Sequence, residues 1–205
     1  MLVTPISRAG LVEEITTTIA ARRGRVRAVL DGPAAAGPDA LAAAVAAALR
    51  ERGRATVVVA AADFLRPASV RLEFGRSNPD ERLDRWLDDG ALAREVLGPA
   101  APNGSGRVLP RLWNSVTDRA YRDDYTMLPD DGVVLLHGAF LLGRGLPADL
   151  AVHLRMSKAA LARTVPDDDA WTLPAFARYE AEGRAEGADL FVLADHPDRP
   201  AVRRR

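Results

Sequence analysis

The sequence predicts an α/β fold in which helices cover both faces of a five-stranded parallel sheet. Five short apolar runs alternate along the chain with segments of helical apolar spacing, which is the order expected of βαβ units. The runs are continuously apolar, and this indicates strands buried on both faces, as in a doubly wound parallel sheet. With 205 residues, 48% of them hydrophobic, the chain can bury a sizeable core, and we expect a single domain over 1–205.

Residues typical of strand and helix ends mark the predicted elements. The strands are expected at 25–31, 55–61, 132–136, 150–156 and 188–193. An N-terminal helix within 1–24 should end at Gly24 and a helix over 39–52 at Gly53, because glycine adopts the left-handed conformation that ends helices. Asn78 before Pro79 predicts one helix start, and Ser157 predicts another.

The remaining segments are harder to assign from their patterns. The helix that begins at Pro79 is expected to continue through Leu87, to pause over 88–90 and to resume as far as Leu97. Residues 98–106 are rich in Pro, Gly and Asn and predict a loop. Residues 107–125 have short alternating stretches that predict antiparallel pairing, and the basic end 203–205 is expected to be a solvated tail.

Charge and composition exclude several classes of function. The 28 Lys and Arg residues balance 28 Asp and Glu residues, so no net positive field attracts nucleic acid or anionic lipid. The absence of cysteine excludes disulfides, thiol catalysis and Cys-ligated metals. No apolar run approaches the ~20 residues of a membrane span, and Glu13 and Glu14 interrupt any leader-like segment. We therefore expect a soluble cytoplasmic protein that binds neither nucleic acid nor membrane.

The stretch 26–49 has the layout of a phosphate-binding loop. An apolar strand ends at Asp31, a GxxxxG loop runs from Gly32 to Gly37, and an alanine-rich helix follows. The Lys and Ser/Thr that normally follow the second glycine are replaced by Pro38 and Asp39. Asp39 places a negative charge at the helix N-terminus, which is the position where a phosphate would bind.

Five segments, in order, carry a resemblance to a known family. They are DGPAAAG at 31–37, DFLRP at 63–67, DRWLDDGAL at 84–92, LLHGAFLL at 135–142 and ADLFVLAD at 188–195. In this order they resemble the uridine kinase-like family of P-loop nucleoside kinases. The resemblance implies a P-loop NTPase-type sheet, a lid at about 163–187, and Mg²⁺-dependent transfer of the γ-phosphoryl group of ATP to a nucleoside hydroxyl.

The resemblance also implies which residues would bind the nucleotide. They are Gly32, Ala34, Ala35, Ala36, Gly37, Pro38, Asp39 and, in the lid, Arg163. Pro38 offers neither an ammonium group nor a backbone N–H, and Asp39 replaces the hydroxyl that would bind Mg²⁺. Two like charges ~4 Å apart at an effective dielectric of ~20 repel by about 4 kcal/mol, so Asp39 opposes a bound phosphate.

Three further family positions depart from the pattern. Ala62 stands where the general base is expected, and the nearest carboxylate follows one residue later as Asp63, our candidate catalytic residue. His137 replaces an acidic residue that would orient water around the metal, and we therefore predict no metal site. In the lid, Pro166 stands at the second arginine position, and an acidic run over 167–169 follows it.

The acceptor side retains more of the family pattern. Asp84 matches an aspartate that the resemblance assigns to contacts with sugar hydroxyls, and the other candidate pocket residues are Phe64, Arg66, Arg71 and Trp113. Each has a structural interpretation as well: Trp113 as core, and the arginines as surface ion pairs. A nucleoside-like small molecule is the expected ligand.

Two functional hypotheses follow from these observations. The first is a non-catalytic binding or interaction protein, a pseudoenzyme that needs no cofactor. It depends on the joint departure at Pro38, Asp39, Ala62 and His137. The second is an active ATP- and Mg²⁺-dependent kinase that phosphorylates uridine or a related small-molecule hydroxyl. It depends on the scaffold and on Asp84. The sequence does not identify a protein partner.

Overall fold

A seven-stranded sheet forms the centre of the computed structural model, which describes residues 3–196 and 198–205. In chain order the strands are β1 (Val3–Pro5), β2 (Val26–Asp31), β3 (Thr56–Ala60), β4 (Val133–Gly138), β5 (Leu150–Arg155), β6 (Leu190–Leu193) and β7 (Ala201–Arg204). Their order across the sheet is β1-β7-β6-β5-β2-β4-β3. The five strands from β2 to β6 are parallel, as the sequence predicts.

Two antiparallel strands extend the predicted five-stranded sheet at one edge. Strand β7 lies between β6 and β1 and pairs with both, with Val3 opposite Arg203. The expectation of a solvated basic tail was therefore wrong, because the backbone of 203–204 completes the sheet while Val202 is fully buried. Pro5 is tolerated in β1 because edge strands leave half of their N–H groups unpaired.

The helices begin largely where the capping residues predicted. They are α1 (Arg8–Ala20), α2 (Pro38–Glu51), α3 (Ala68–Arg71), α4 (Pro79–Asp84), α5 (Asp89–Leu92), α6 (Lys158–Thr164) and α7 (Leu173–Ala181). The side chain of Asn78 accepts hydrogen bonds from the first amides of α4, and Ser157 accepts one from Ala160. Gly24 and Gly53 follow α1 and α2 with φ of +76° and +77°.

The chain between α4 and α5 leaves the helix earlier than the apolar pattern predicts. Helix α4 ends at Asp84, and the next residues turn towards the segment after β3. The Arg66 amide donates to the Trp86 carbonyl and the Asp88 amide to the Phe64 carbonyl, both at 2.9 Å. These long-range backbone bonds replace helical ones. As a result, the chain places Trp86 beside the carboxyl ends of the sheet.

The segment 107–127 forms two short antiparallel ribbons, in agreement with the predicted antiparallel pairing. Arg107–Val108 pairs with Thr126–Met127, and Trp113–Asn114 pairs with Arg119–Ala120. The ribbons lie outside the central sheet and lengthen the connection between α5 and β4.

Apolar residues bury both faces of the sheet. One core cluster joins α1 and α2 to the sheet and includes Ile15, Ile19, Val45 and Leu49. The other lies under α5 and the ribbons and includes residues such as Phe64, Leu92, Val96 and Leu128. Among the helices of the described residues, none has the length and apolar character to cross a membrane.

Candidate functional site

The main cavity, about 670 Å³ in volume, lies at the carboxyl ends of β2, β3 and β4. The loop after β2 forms one wall, and the segment 164–176, which contains the end of α6 and the start of α7, forms the opposite wall. Ligands of parallel α/β proteins bind at this position because the connections diverge there. The register places Asp31 beside Gly138 and Ala60 beside His137, so the sequence motifs after the three strands meet here.

The loop 32–37 makes its own hydrogen bonds. Ala34–Ala36 form a 3₁₀ turn in which the Ala36 amide donates to the Pro33 carbonyl and the Gly37 amide to the Ala34 carbonyl, both at 2.9 Å. Gly37 has φ of +69°, which only glycine adopts readily, and leads into α2. The amides of Ala36 and Gly37 are thus directed into the turn and are not available to a bound phosphate.

The first residues of α2 place a carboxylate at the cavity. Pro38 is buried at the first helical position, while Asp39 is exposed and lines the cavity. In the part of the chain that the structure describes, the Asp39 carboxylate has no hydrogen-bond or ion-pair partner. The side chain therefore does not fold back onto the loop amides. This end of the cavity is lined by Gly32, Pro33, Ala34, Ala35, Pro38 and Asp39, none of which carries a positive charge.

Ala62 and His137 line the cavity at the positions where a base and an acid were expected. Burial lowers the pKa of His137, against the opposing effect of the carboxylates of Asp39 and Asp63. The imidazole is consequently neutral at neutral pH. Asp63 is placed near Tyr121, where burial first and then the Asp63 carboxylate raise the pKa of the phenol. The Asp63 backbone carbonyl accepts from the Leu112 amide at 3.1 Å.

The opposite wall is acidic and aromatic. Arg163 is exposed on α6, whereas its neighbours Thr164, Val165 and Pro166 line the cavity. The same wall continues with Asp169, Trp171, Thr172 and Phe176. Arg163, predicted to bind the nucleotide, is not part of the cavity lining, whereas Asp169 of the acidic run 167–169 is.

Asp84 belongs to an ion-pair network outside the cavity lining. Its carboxylate accepts hydrogen bonds from Arg184 at 2.6 Å and from Arg178 at 2.7 Å. Burial opposes ionisation, but these two arginines outweigh it and lower the pKa of Asp84. The network joins α4 to α7, and both carboxylate oxygens already have partners.

The other proposed acceptor residues surround the ribbon 113–120. Phe64 is fully buried and belongs to the core, and Trp113 donates its indole N–H to Asp118 at 3.0 Å. Arg71 is 7% exposed and donates to the Arg66 carbonyl at 2.6 Å. Burial lowers the pKa of Arg71, and Asp118 opposes this effect. Trp113 and Arg71 therefore already have partners within the protein, whereas the Arg66 side chain forms no hydrogen bond or ion pair among the described residues.

The cavity contains side chains that the sequence reasoning did not select. Trp86 and Trp171 lie with ring centroids 5.5 Å apart, and Phe140 and Phe176 with centroids 4.5 Å apart. Arg82 completes this aromatic end. The position of Trp86 on the cavity wall depends on the early end of α4.

A buried polar cluster at the end of β2 was also missed. Asp31, fully buried, contacts the His153 Nδ1 at 2.6 Å and accepts hydrogen bonds from the Tyr179 hydroxyl at 2.9 Å and the Leu141 amide at 2.8 Å. The His153 Nε2 lies 3.0 Å from Glu180. Burial disfavours the imidazolium, but the hydrogen bonds to Asp31 and Glu180 outweigh it and raise the pKa of His153 to about 9.

Comparisons with known proteins bear on the fold. No protein-family model matches the sequence, and no curated protein matches it either. Among solved structures, the chain is similar to a possible uridine kinase from Bacillus stearothermophilus, with a TM-score of 0.66 and 20% identity over 88% of this chain and 96% of that one. The chain has a P-loop kinase-like fold.

Two further structures share the P-loop kinase-like fold. A possible fructose transport system kinase from Silicibacter sp. TM1040 has a TM-score of 0.60 and 23% identity over 89% of this chain and 95% of that one. The YGR205w protein has a TM-score of 0.61 and 12% identity over 98% and 99% of the two chains. At these identities the likeness shows the fold, and the activity must be argued from the site.

Proposed function

We propose that this chain is a non-catalytic small-molecule-binding protein built on a P-loop kinase-like fold. One observation carries the proposal: the loop that would bind the ATP phosphates is closed by its own hydrogen bonds and carries Asp39 where the phosphates need positive charge. The cavity beyond the loop remains large, at about 670 Å³, and is lined by aromatic side chains. Its ligand is nucleoside-like in size and in having a flat, apolar part.

The residues at the loop do not fit Mg²⁺-bound ATP. Phosphoryl transfer relies on cations and amides around the β- and γ-phosphates. Pro38 has no N–H, and the amides of Ala36 and Gly37 donate to carbonyls of the loop. Repulsion of about 4 kcal/mol between Asp39 and a phosphate at ~4 Å corresponds to roughly a thousandfold loss of affinity.

The cavity residues also do not fit a Mg²⁺ ion or a general base. Mg²⁺ requires several oxygen ligands in octahedral geometry. Asp39 supplies one carboxylate, and the neutral imidazole of His137 is a poor ligand for Mg²⁺. Over 3–196 and 198–205, no group of three His, Cys, Asp or Glu side chains could hold a metal ion. Ala62 faces the cavity where a base would accept the proton of the attacking hydroxyl.

The second candidate is an active ATP-dependent kinase that phosphorylates uridine or a related small-molecule hydroxyl. The position of the cavity favours it, because the loop after β2 and the segment 164–176 both line the cavity at the strand ends. Two of the similar structures are described as kinases. In this case Asp63 would be the general base, and ATP and Mg²⁺ would bind at the loop end of the cavity despite the charge of Asp39.

Titration with Mg²⁺ and ATP separates the two candidates. A ligand present at 100 times its Kd stabilises the folded state by about 2.7 kcal/mol. We expect no saturable rise in the unfolding temperature up to millimolar Mg·ATP, and no ATP consumption with uridine. A saturable shift together with phosphoryl transfer would refute the non-catalytic proposal.

A double substitution tests whether Pro38 and Asp39 prevent ATP binding. Pro38→Lys with Asp39→Ser restores the charge pattern of a working loop, and Ala40→Lys adds a lysine on α2 outside the cavity lining. ATP binding by the first variant but not by the control would assign the loss to these two residues. If neither variant binds, the internal hydrogen bonds of 33–37 also block the phosphate.

A further inference from the structure

Arg82 is a cation without a partner inside the cavity wall. Its guanidinium carbon lies 5.2 Å from the ring centroid of Trp86 and 5.5 Å from that of Phe140. The residue is partly buried and lines the cavity. Among the described residues, no carboxylate pairs with it and no acceptor takes a hydrogen bond from its guanidinium.

The two neighbouring arginines, Arg144 and Arg71, both have carbonyl or carboxylate partners within the protein. Arg144 donates to the carbonyls of Phe140 and Leu83 and forms an ion pair with Asp89 at 3.0 Å. Arg71 donates to a carbonyl at 2.6 Å and lies 4.0 Å from Asp118. Only Arg82 of these three guanidiniums lacks a partner within the described chain, and only Arg82 lines the cavity.

The surroundings make this unpaired charge unfavourable. Burial lowers the pKa of Arg82 to about 10, and the nearby guanidiniums of Arg144 and Arg71 contribute, while Asp169 opposes them from beyond ion-pair distance. The side chain therefore remains charged at neutral pH. A desolvated charge without a partner destabilises a protein, so its presence in a cavity indicates an anion supplied from outside.

A second donor at the same place lacks an acceptor. The indole N–H of Trp86 is buried and has no hydrogen-bond partner among the described residues, although Trp86 lines the cavity. Buried polar groups are nearly always paired in folded proteins. The indole N–H is closed off from solvent, so it adds an unsatisfied polar group beside the cavity, and the Arg82 guanidinium is the donor that a ligand in the cavity can reach.

The chemistry of the walls defines the ligand. A guanidinium that stacks on aromatic rings presents its N–H groups along its edge, in the fork that binds a carboxylate through two hydrogen bonds. The rings of Trp86, Trp171, Phe140 and Phe176 form flat apolar surfaces suited to a planar body. Asp39 and Asp169 on the walls repel a phosphate dianion more strongly than a monoanion.

We propose that the cavity binds a small molecule with a flat apolar body and a single carboxylate, and that Arg82 binds this carboxylate through its guanidinium edge. The inference rests on the proposed binding function and specifies the ligand class. The carboxylate would bind at the aromatic end of the cavity, whereas the residues that oppose ATP lie at the loop end.

The test uses a calorimetric titration of the full chain with matched pairs of probes. Benzoate, cinnamate and 2-naphthoate are each compared with their neutral carboxamides, and phenyl phosphate serves as the dianion. We expect at least one carboxylate to bind about tenfold or more tightly than its carboxamide, because charge-assisted bidentate bonds are the stronger ones. Phenyl phosphate is expected to bind more weakly than benzoate. Equal or weaker binding of all three carboxylates relative to their amides would overturn the proposal.

Two substitutions on α4 and just after it test whether Arg82 is responsible for the preference for carboxylates. Arg82→Gln should weaken carboxylate binding about tenfold or more and leave carboxamide binding unchanged. Arg85→Gln removes the same charge from an exposed site outside the cavity lining and should leave binding unchanged. Because the Arg82 charge is unpaired, Arg82→Gln should unfold at the wild-type temperature or above it. Unchanged carboxylate binding in a folded Arg82→Gln variant would also overturn the proposal.

Failure of this inference can be distinguished from failure of the proposed function. Saturable Mg·ATP binding with phosphoryl transfer would refute the non-catalytic proposal, whatever the carboxylates do. Absence of any preference for carboxylates over carboxamides, in a chain that does not bind ATP, would refute only the assignment to Arg82.

Discussion

Two buried charged groups in this chain differ in how completely the protein pairs them. His153 has Asp31 on one ring nitrogen and Glu180 on the other, and Asp31 accepts two further hydrogen bonds. Arg82 lies against the Trp86 and Phe140 rings and has no hydrogen-bond or ion-pair partner among the described residues. A fully paired buried charge holds elements together, whereas an unpaired one at a cavity weakens the fold and is explained by a ligand. Stability measurements can test this distinction.

The largest effect is expected from Asp31→Asn. The substitution leaves the buried imidazolium of His153 with Glu180 alone, and breaking a buried ion pair destabilises a protein by about 3–5 kcal/mol. Chemical denaturation measures the change. Asp168→Asn, at an exposed position, is the control and should change stability by less than about 0.5 kcal/mol. A loss below about 1 kcal/mol for Asp31→Asn would mean that the cluster is not stabilising.

The pH dependence of stability is the next test of the paired cluster. The pKa of His153 is raised from 6.5 in the unfolded chain to about 9 in the folded one, so the folded state binds the proton more tightly. The stabilisation is therefore complete below about pH 6.5 and is lost as the pH rises through about 9, by up to ~3 kcal/mol. Denaturation at pH 6, 8 and 10 measures it. His153→Gln should remove this component, and an unchanged profile in that variant would contradict the assignment.

Arg82→Met should stabilise the folded state, in contrast to Asp31→Asn. Removal of an unpaired buried charge is expected to raise the free energy of unfolding by about 1 kcal/mol, after the loss of its contacts with the Trp86 and Phe140 rings. Arg144→Met is the matched comparison, because Arg144 is paired, and it should destabilise by about 3 kcal/mol or more. Destabilisation of similar size in both variants would show that Arg82 is also a structural residue.

The smallest effect is expected from Asp84→Asn. This carboxylate is about one-third exposed and pairs with Arg178 and Arg184, and partly exposed ion pairs contribute about 1 kcal/mol or less. We expect a loss of stability of that size in chemical denaturation and unchanged carboxylate binding in calorimetry. A large loss of carboxylate binding would show that Asp84 takes part in the ligand site.

Much of the fold could be predicted from the sequence, because apolar continuity and capping residues are local signals. The five parallel strands, the caps at Asn78 and Ser157, and the loop after β2 follow from residues adjacent in the chain. Strands β1 and β7 could not be predicted, because Pro5 and the basic end 203–205 have no apolar pattern. The pairing of β1 with β7 joins Val3 to Arg203, about 200 residues away in the chain.

The site was predictable only where its residues follow a strand directly. Gly32, Asp39, Ala62 and His137 line the cavity because parallel strands bring their carboxyl ends together. Arg82 lines the cavity from within α4, and Trp86 joins it because the chain leaves the helix after Asp84 and forms backbone bonds to 64–66. The contact between Asp31 and His153 joins residues 122 positions apart, and no spacing in the sequence encodes it.

The cluster at the end of β2 also determines which wall of the cavity can move. Tyr179 and Glu180, both on α7, bind Asp31 and His153 of the sheet, so this helix is tied to the residue that precedes the loop. The segment 164–172 has no such bond to the sheet within the described chain. We therefore expect 164–172 to be the more mobile wall of the cavity. Its amides should exchange with solvent faster than those of α7, and a bound ligand should slow them selectively.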